Sequence, residues 1–419
     1  LNLFVDERSL FEKLCDLHNL RAGFKAVKKN GGAPGVDGVT VEEYEGCLDK
    51  ELARLKKDLE GWSYKPSPVR RVEIPKPGKG AGVRLLEVPC IGDPTFADHS
   101  YGFRPGYNQQ QAVESAQRIV KGGKEYVVDI DLSKFFDRVN HDRLIYLLSG
   151  HVADKRILRL IGNILRSGVM ADGVVQLTEE GTIQGSPLSP LLSNVVLDEL
   201  DKELERRGLE FCRYADDCNI FVRSLKSANR VMASIGKFIE QKLRLKINRE
   251  KSKVGQSREV KFLGMTIIDG KVAISWQSIK RAMLKVKELT PRGTHLSLEL
   301  TMKRINEWYI GWSSYYLMTQ YPSQFVKIEG HIRRRLRARI VDQQKRRRHL
   351  YKKLIKRGVP QDQAAKTAQS NNGRWALSWT EALHKAYPNR WFINVLGQKI
   401  RSNAMLKHWF GVRRWIRIA

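Results

Sequence analysis

Three acidic positions stand where they could do chemistry together. Asp131 lies near the end of an alternating stretch, Glu125 to Leu132, with Tyr126, Val128, Ile130 and Leu132 on one face and Val127, Asp129 and Asp131 on the other. Asp216 and Asp217 sit in a short link between two mostly apolar runs, Glu210 to Tyr214 and Cys218 to Val222, which read as a hairpin. If the two elements are neighbours in one sheet, the three carboxylates converge at one edge. Carboxylates that close repel, and the usual remedy is a hard divalent cation with oxygen ligands, most often Mg²⁺ where phosphates are handled. Two such ions can activate a hydroxyl nucleophile and stabilise the departing oxygen at phosphorus, which in a basic protein points to nucleotidyl transfer or nuclease action. Each acid alone has a plainer reading, because Asp favours turns and an acid on the open face of a strand is usually just solvated. The run Gly181-Thr-Ile-Gln-Gly-Ser-Pro-Leu-Ser-Pro190 lies between the two acidic elements. Its Gly185 would let a backbone approach a ligand, and Pro187 can open the following helix.

The elements that must hold these residues belong to a strongly basic chain. It has 419 residues, enough for two or three domains, and a formal net charge of +30. Nine Trp, thirteen Tyr and fourteen Phe argue for a folded protein rather than a disordered basic tail. The excess of cations exceeds what solubility needs, so a polyanionic partner is expected. Residues 280–419 hold 31 Lys and Arg against seven Asp and Glu, a net of +24, which leaves +6 for the first 279. Between His331 and Arg357, thirteen Lys and Arg accompany one acid, Asp342, with Ile332, Leu336, Ile340, Leu350 and Leu354 forming an apolar stripe. Cations that dense repel without a counter-charge, and a contact to a phosphate backbone is expected there. No run of eighteen apolar residues occurs and the first residues lack the plan of a signal peptide, so neither membrane spanning nor secretion is expected. Five cysteines without CxxC spacing, none after Cys218, fit a reduced compartment and exclude a cysteine-ligated zinc site in the C-terminal half.

Apolar spacing predicts helices over 8–30 and 41–60, separated by a glycine-rich loop, and a hairpin of strands 69–74 and 83–88 with basic residues at its tip. Helices follow over 108–121, 141–166, 187–206 and 225–243, with strands over 125–132, 210–214, 218–222, 260–267 and 271–274. Beyond residue 280 the pattern is helical, over 278–289, 298–317 and 323–357. Strands and helices mixed without a regular βαβ rhythm predict an α+β body. Ile305, Trp308, Trp312 and Tyr315, with Tyr309 and Tyr316 beside them, read as the core of a helical bundle.

In order along the chain, Asp131-Leu-Ser-Lys-Phe-Phe-Asp137, Gln184-Gly-Ser-Pro-Leu-Ser-Pro190, Tyr214-Ala-Asp-Asp217, Asn248-Arg-Glu-Lys251 and Phe262-Leu-Gly264 resemble the ordered motifs of reverse transcriptases. The match is closest to the bacterial group II intron-encoded family, the intron maturases. Upstream, Gly32-Ala-Pro-Gly-Val-Asp-Gly-Val-Thr40, Arg71-Val-Glu-Ile-Pro-Lys-Pro77 and Ser100-Tyr-Gly-Phe-Arg-Pro105 resemble that family's N-terminal and fingers motifs. Downstream, Gly311-Trp-Ser-Ser-Tyr-Tyr316 and the basic helix resemble its thumb, or maturase, region. The resemblance spans roughly residues 20–380. It implies a right-hand polymerase, α+β, with fingers and palm over 1–275 (an N-terminal extension over about 1–60), a helical basic thumb over 276–358 and a basic nucleic-acid-binding segment over 359–419.

The same resemblance implies roles. Asp131, Asp216 and Asp217 form the catalytic carboxylate set for two Mg²⁺ ions, with Asp131 and Asp216 the more direct ligands and the Leu132 carbonyl completing the site. Phe136 crowds a ribose 2′-hydroxyl and favours deoxynucleotides, the plainer alternative being core packing beside Phe135. Gln184 and Gly185 lie against the incoming nucleotide and template. Arg84, and more weakly Lys76, hold the triphosphate; Lys251 assists the pyrophosphate leaving group, although a lysine beside Glu250 is more often a surface charge; and Phe262-Leu263-Gly264 corresponds to the primer grip, or equally to ordinary strand packing. The implied partners are group II intron RNA, an RNA template with its DNA primer, dNTPs and target DNA, in the nucleoid-associated cytoplasm of a bacterium.

Two departures from the family stand out. Pro89-Cys-Ile-Gly-Asp-Pro-Thr-Phe96 runs straight through where the family has an additional helix-length stretch between Asp93 and Pro94. Either the fingers carry a deletion or a segment is omitted, and the start without Met favours omission. The His- and Cys-containing endonuclease of many relatives is not expected, which resembles the lineage that mobilises on a pre-existing primer. Two other readings use the same motifs: an RNA-binding splicing maturase with a vestigial polymerase site, and a domesticated reverse transcriptase in phage defence or repair.

Overall fold

A computed structural model describes residues 8–401 apart from 30, 32, 33, 35, 71–95, 134, 172, 173, 177–180, 182–187, 292 and 345. The chain divides into two compact units, 1–256 and 257–419.

The first unit opens with helices α1 (Leu10–Cys15), α2 (Leu17–Lys29), α3 (Val41–Gly46) and α4 (Leu48–Glu60). The two long helices expected here are each broken once. Asp16 takes an extended backbone and its carboxylate accepts from the His18 N–H, so it ends α1 and caps α2. Cys47, at φ −120°, separates α3 from α4. Then follow β1 (Val69–Arg70), α5 (Gln109–Lys121), β2 (Tyr126–Ile130), α6 (His141–Ser149), α7 (Lys155–Leu165), β3 (Val169–Ala171), β4 (Val174–Gln176), α8 (Leu188–Arg206), β5 (Glu210–Tyr214), β6 (Asp217–Val222), α9 (Leu225–Gln241) and β7 (Lys253–Gln256). The expected fingers hairpin falls largely outside the described residues, and so does the Asp93–Pro94 junction.

The central sheet is antiparallel with strand order β5-β6-β2-β7. Val128, Ile130 and Leu132 from one side of β2, with Cys218, Ile220 and Val222 from β6 and Phe211 from β5, share a single core with α8 and α9. Helix α8 supplies Leu192, Val195, Val196, Leu197, Leu200 and Leu204 to it, and α9 supplies Ala228, Val231, Ile235 and Ile239. At roughly 1.5–3 kcal/mol for each buried aliphatic side chain, this packing is what stiffens the sheet. A second sheet, β1-β3-β4, has β1 parallel to β3.

The second unit begins with the hairpin β8 (Met265–Ile268) and β9 (Lys271–Ile274) and continues as helices α10 (Trp276–Leu289), α11 (Leu298–Tyr315), α12 (Ser323–Asp342), α13 (Arg347–Lys356), α14 (Gln361–Gln369), α15 (Arg374–Leu377), α16 (Glu381–Ala386) and α17 (Asn389–Asn394). The aromatic stripe of α11 is mostly core, with Trp308, Trp312 and Tyr315 half-buried at its margin. Ile305 and Tyr309 are buried, Trp312 packs edge-on against Phe325, and the Tyr309 hydroxyl donates to Glu329. An α+β body followed by a helical region is therefore the architecture.

The basic stretch departs from expectation. It is two helices rather than one, the first ending at Asp342 and the second beginning at Arg347, and three of its arginines point inward. Arg333 donates to Gln398, Arg337 to the Tyr387 carbonyl and Asn389, and Arg339 to Thr301 and the Leu296 carbonyl. These cations hold α12 to its neighbours instead of facing phosphates. Among the described residues, no helix is long and apolar enough to cross a membrane.

Candidate active site

The acidic edge is built by strand register. Ile130 pairs with Cys218 as the last pair of the β2–β6 ladder, and Asp131 and Asp217 are the next residues along each strand. Asp217 opens β6 and pairs with Tyr214 across a two-residue turn, Ala215-Asp216. Residues opposite one another in such a ladder project to the same face, which here is the face away from the shared core. Asp131, Asp216 and Asp217 are all half-buried. Among the described residues, no group of three or more His, Cys, Asp or Glu side chains is gathered tightly enough to hold a metal ion.

The backbone of Asp131 is anchored by the loop after α9. The Asp131 N–H donates to Ser252 Oγ at 3.0 Å, and its carbonyl accepts from the Asn248 N–H at 2.8 Å. Leu132 forms a β-bridge with Ile247, and the Ser133 N–H donates to the Lys246 carbonyl at 2.7 Å. Lys251 belongs to this loop, with its own N–H on Asn248 and an exposed side chain. The Asn248-Arg-Glu-Lys251 motif thus braces Asp131 from behind. Phe136 lies in a short 3₁₀ turn, Phe135–Asp137, half-buried against the core with its ring edge-on to Phe135 at 5.2 Å. Arg84, Lys76, Gln184 and Gly185 lie outside the described residues.

Beneath the Asp216–Asp217 turn sits a polar network that the sequence pattern does not flag. Arg213 is wholly buried, and its Nε donates to both carboxylate oxygens of Asp201, at 2.8 and 3.0 Å. Its Nη1 donates to Asn194 Oδ1 and to the Ala215 carbonyl, both at 3.0 Å, and its Nη2 to Ser100 Oγ at 2.7 Å and to Asp201. Burial pushes the Asp201 carboxyl up and works against the Arg213 charge, but attraction to Asp201 more than offsets this and holds Arg213 above its ordinary value. A guanidinium that cannot lose its proton leaves Asp201 as its anion. Asn194 also donates to the Gly102 carbonyl at 2.8 Å.

Gly102 is pressed against the turn. A Cβ there would stand 2.2 Å from the Ala215 nitrogen. Ala215 itself has φ +58°, a left-handed conformation that L side chains rarely adopt, so the turn keeps its shape only because its surroundings impose it. Burial pushes the Cys212 thiol up to about 12 and raises Cys218 well above its usual value, so both thiols flanking the turn stay neutral. One sequence signal could have exposed this network. Arg213 shares the inward alternation of Phe211, and Asp201 falls on the same helical stripe as Leu197 and Leu204.

In the second unit, Leu263 and Gly264 both have positive φ. The Tyr315 hydroxyl donates to the Leu263 carbonyl at 2.8 Å, and Ser278 Oγ to the Gly264 carbonyl at 2.9 Å. A Cβ on Gly264 would meet the Tyr316 hydroxyl at 2.7 Å, so the tight bend of this motif is locked by aromatic residues of α11 and its C-terminal end.

Comparison with known proteins gives two family matches. Residues 83–267 match the reverse transcriptase (RNA-dependent DNA polymerase) family, and residues 279–358 match the group II intron maturase-specific domain. The chain is 28% identical over 295 residues to protein YkfC of Escherichia coli K12, covering 57% of this chain and 77% of that one. It is 27% identical over 335 residues to the putative COX1/OXI3 intron 2 protein of Saccharomyces cerevisiae, covering 62% and 38%. Identity to the group II intron-encoded protein LtrA of Lactococcus lactis subsp. cremoris is 30% over 206 residues, covering 45% and 34%. The chain thus spans about a third of the length of the two intron proteins. Reverse transcriptase domains generally use Mg²⁺. The two matches fall in this order on an antiparallel sheet and the helical region after it, so residues 83–358 carry the domain order of a reverse transcriptase followed by a group II intron maturase-specific domain.

Proposed function

We propose that the protein is an RNA-directed DNA polymerase encoded by a group II intron, which extends a DNA primer on an RNA template with dNTPs and binds its intron RNA to assist splicing and retromobility. The observation that carries this reading is the position of Asp131 and Asp217 one residue beyond the Ile130–Cys218 pair, beside a turn, Ala215-Asp216, whose shape is held from beneath by Arg213 and Gly102. Carboxylates supply the hard oxygen ligands that Mg²⁺ prefers, and bound ions would draw these three acids together. Asp131 and Asp216, with Asp217 and the Leu132 carbonyl, would hold two such ions. When bound, the ions activate the primer 3′-hydroxyl and neutralise charge on the departing pyrophosphate.

The protein's own groups do the rest. Gln184 and Gly185 seat the nucleotide, Arg84 and Lys76 hold its triphosphate, and Phe136 excludes a 2′-hydroxyl. Lys251 supplies a proton or positive charge to the leaving pyrophosphate as the new O3′–P bond forms. In the second unit, the Leu263–Gly264 bend receives the primer end, and basic residues of α13 hold the RNA backbone.

The test is primer extension by purified protein with Mg²⁺, dNTPs, an RNA template and an annealed DNA primer. Extension by wild type, abolished in Asp216→Ala/Asp217→Ala, is expected. No extension by wild type under conditions where the double variant behaves identically overturns the polymerase reading. Splicing of the parent intron, measured with the same double variant, is expected to persist, since RNA binding and nucleotidyl transfer use different residues.

A further inference from the structure

We infer that Arg213 is a positioning residue for nucleotidyl transfer, tying helix α8 to the acidic turn through one fully satisfied guanidinium; this rests on the polymerase reading above. Arg213 has five N–H groups, and its hydrogen bonds reach Asp201, Asn194, Ser100 and the Ala215 carbonyl. A purely structural ion pair would need only Asp201. The bond to Ala215 reaches into the turn itself, one residue before Asp216, and acts on the residue whose positive φ sets the direction of the chain. The backbone of Arg213 is held as well, its N–H on the His99 carbonyl at 2.9 Å and its carbonyl accepting from the Tyr101 N–H at 2.8 Å. Gly102 closes the arrangement from the same segment, with its carbonyl accepting from Asn194 and no room for a Cβ beside the Ala215 nitrogen.

The other end of the linkage is α8. It begins at Leu188, directly after Gln184-Gly-Ser-Pro187, and Asn194 and Asp201 lie on its second and fourth turns. Arg213 therefore fastens the helix that follows the proposed nucleotide loop to the turn that carries two of the proposed metal-binding acids. Nucleotidyl transfer needs the α-phosphate and the carboxylates in one fixed relation, and a displacement of about 1 Å can cost on the order of a hundredfold in rate. Lysine in this position would keep a charge for Asp201 but presents its donors from a single nitrogen, which cannot span all four partners.

The experiment compares wild type with two variants. Arg213→Met/Asp201→Leu replaces the buried pair by apolar side chains, a change that often preserves stability, while Asn194→Ala leaves the ion pair and removes the amide that links Arg213 to the Gly102 carbonyl. Single-nucleotide extension, thermal melting and Mn²⁺ binding by electron paramagnetic resonance are measured on each. The expected result is a near-native melting temperature with kcat down on the order of a hundredfold for the pair and tenfold for Asn194→Ala, KM for dNTP unchanged, and weaker Mn²⁺ binding. A folded variant with native kcat and native Mn²⁺ binding overturns the inference, as does a loss that falls wholly on KM. Melting of both variants in step with their activity loss also overturns it, since the residues would then be structural only. Failure of the polymerase reading is seen separately, as absence of extension by wild type.

Discussion

The side-chain amide of Asn219 donates to Oδ1 of Asp217 at 3.2 Å, while its own Oδ1 is buried with no hydrogen-bond partner. Asn219 is completely inaccessible, two residues after Asp217 on the same face of β6. An unpaired buried acceptor costs about 1–3 kcal/mol, so stability alone does not account for an asparagine here. Orientation of the Asp217 carboxylate does. Replacing Asn219 by Leu removes the unpaired acceptor together with the bond to Asp217. The expected outcome is a melting temperature at or slightly above that of wild type, with extension slowed on the order of tenfold, the equivalent of one hydrogen bond to a charged group. Unchanged extension by a folded Asn219→Leu protein would remove Asn219 from the site.

Gly102 makes a sterically sharper case. The nearest atoms to an added Cβ are the Ala215 nitrogen and Cα and the Tyr214 carbonyl carbon, all backbone, so nothing there can swing aside. Gly102→Ala must shift either the Ser100–Phe103 segment or the turn. Overpacking of this kind costs about 1–3 kcal/mol. A lower urea midpoint is expected, with extension lost even at temperatures where the variant remains folded, because the turn moves before the unit unfolds. Native activity at low temperature would show that the turn tolerates displacement.

Much of this architecture is legible in residue order because apolar periodicity directly encodes which face is buried. Helix α5 is expected over 108–121 and observed over Gln109–Lys121, and α8 is expected over 187–206 and observed over Leu188–Arg206. The alternation of Val128, Ile130 and Leu132 against Asp129 and Asp131 likewise predicts the core side of β2. Charges are read less well, since a sequence shows their number and not their partners. Arg213, Arg337 and Arg339 look like surface cations until Asp201, the Tyr387 carbonyl and Thr301 are seen beside them. The break between α12 and α13 has the same origin: the apolar stripe continues through 331–357, but three consecutive cations, Arg346 to Arg348, stand at the start of α13, where a helix N-terminus disfavours positive charge.

That distinction between buried and exposed cations separates two kinds of variant. Arg348, Lys352 and Lys356 of α13 are exposed, whereas Arg337 is buried and donates to Tyr387 and Asn389, with burial lowering it to about 10. Changing the three exposed residues to Gln is expected to weaken RNA binding and reduce its slope against log salt by about 2, at roughly 0.7–0.9 per phosphate contact, with no change in melting. Arg337→Met is expected to do the reverse, lowering the melting temperature while leaving the salt slope of the folded fraction alone. Filter binding across a salt series, paired with thermal melting, reads both. An unchanged salt slope in the triple variant would move the RNA contact off α13.

Two histidines give the second unit a pH dependence whose sign follows from their surroundings. His331 of α12 is held below its ordinary value by burial and then by Arg335 and Arg334, with Trp375 edge-on to its ring. His384 of α16 is likewise lowered by burial and by Arg337; its Nε2 is buried without a hydrogen bond, and Trp379 packs edge-on against it. Protonation is therefore harder in the folded chain than in the unfolded one. Below about 6.5, the ordinary histidine value, the unfolded state takes up protons that the folded state refuses, and stability falls. The stability these groups supply is complete above that pH and is lost as pH drops beneath it. Carboxylates with lowered values, such as Glu203 beside Arg206 and Arg207 at about 2, lose their contribution only below about 4.5, so the window from pH 6.5 to 5 isolates the histidines. Urea unfolding followed by tryptophan fluorescence at pH 7.5 and 5.5 is expected to show a lower midpoint at the acid end. In His331→Leu/His384→Leu that difference should shrink, because neither leucine can bind a proton in either state. A midpoint that does not move between the two pH values in wild type, or that moves equally in the double variant, would assign the pH dependence elsewhere.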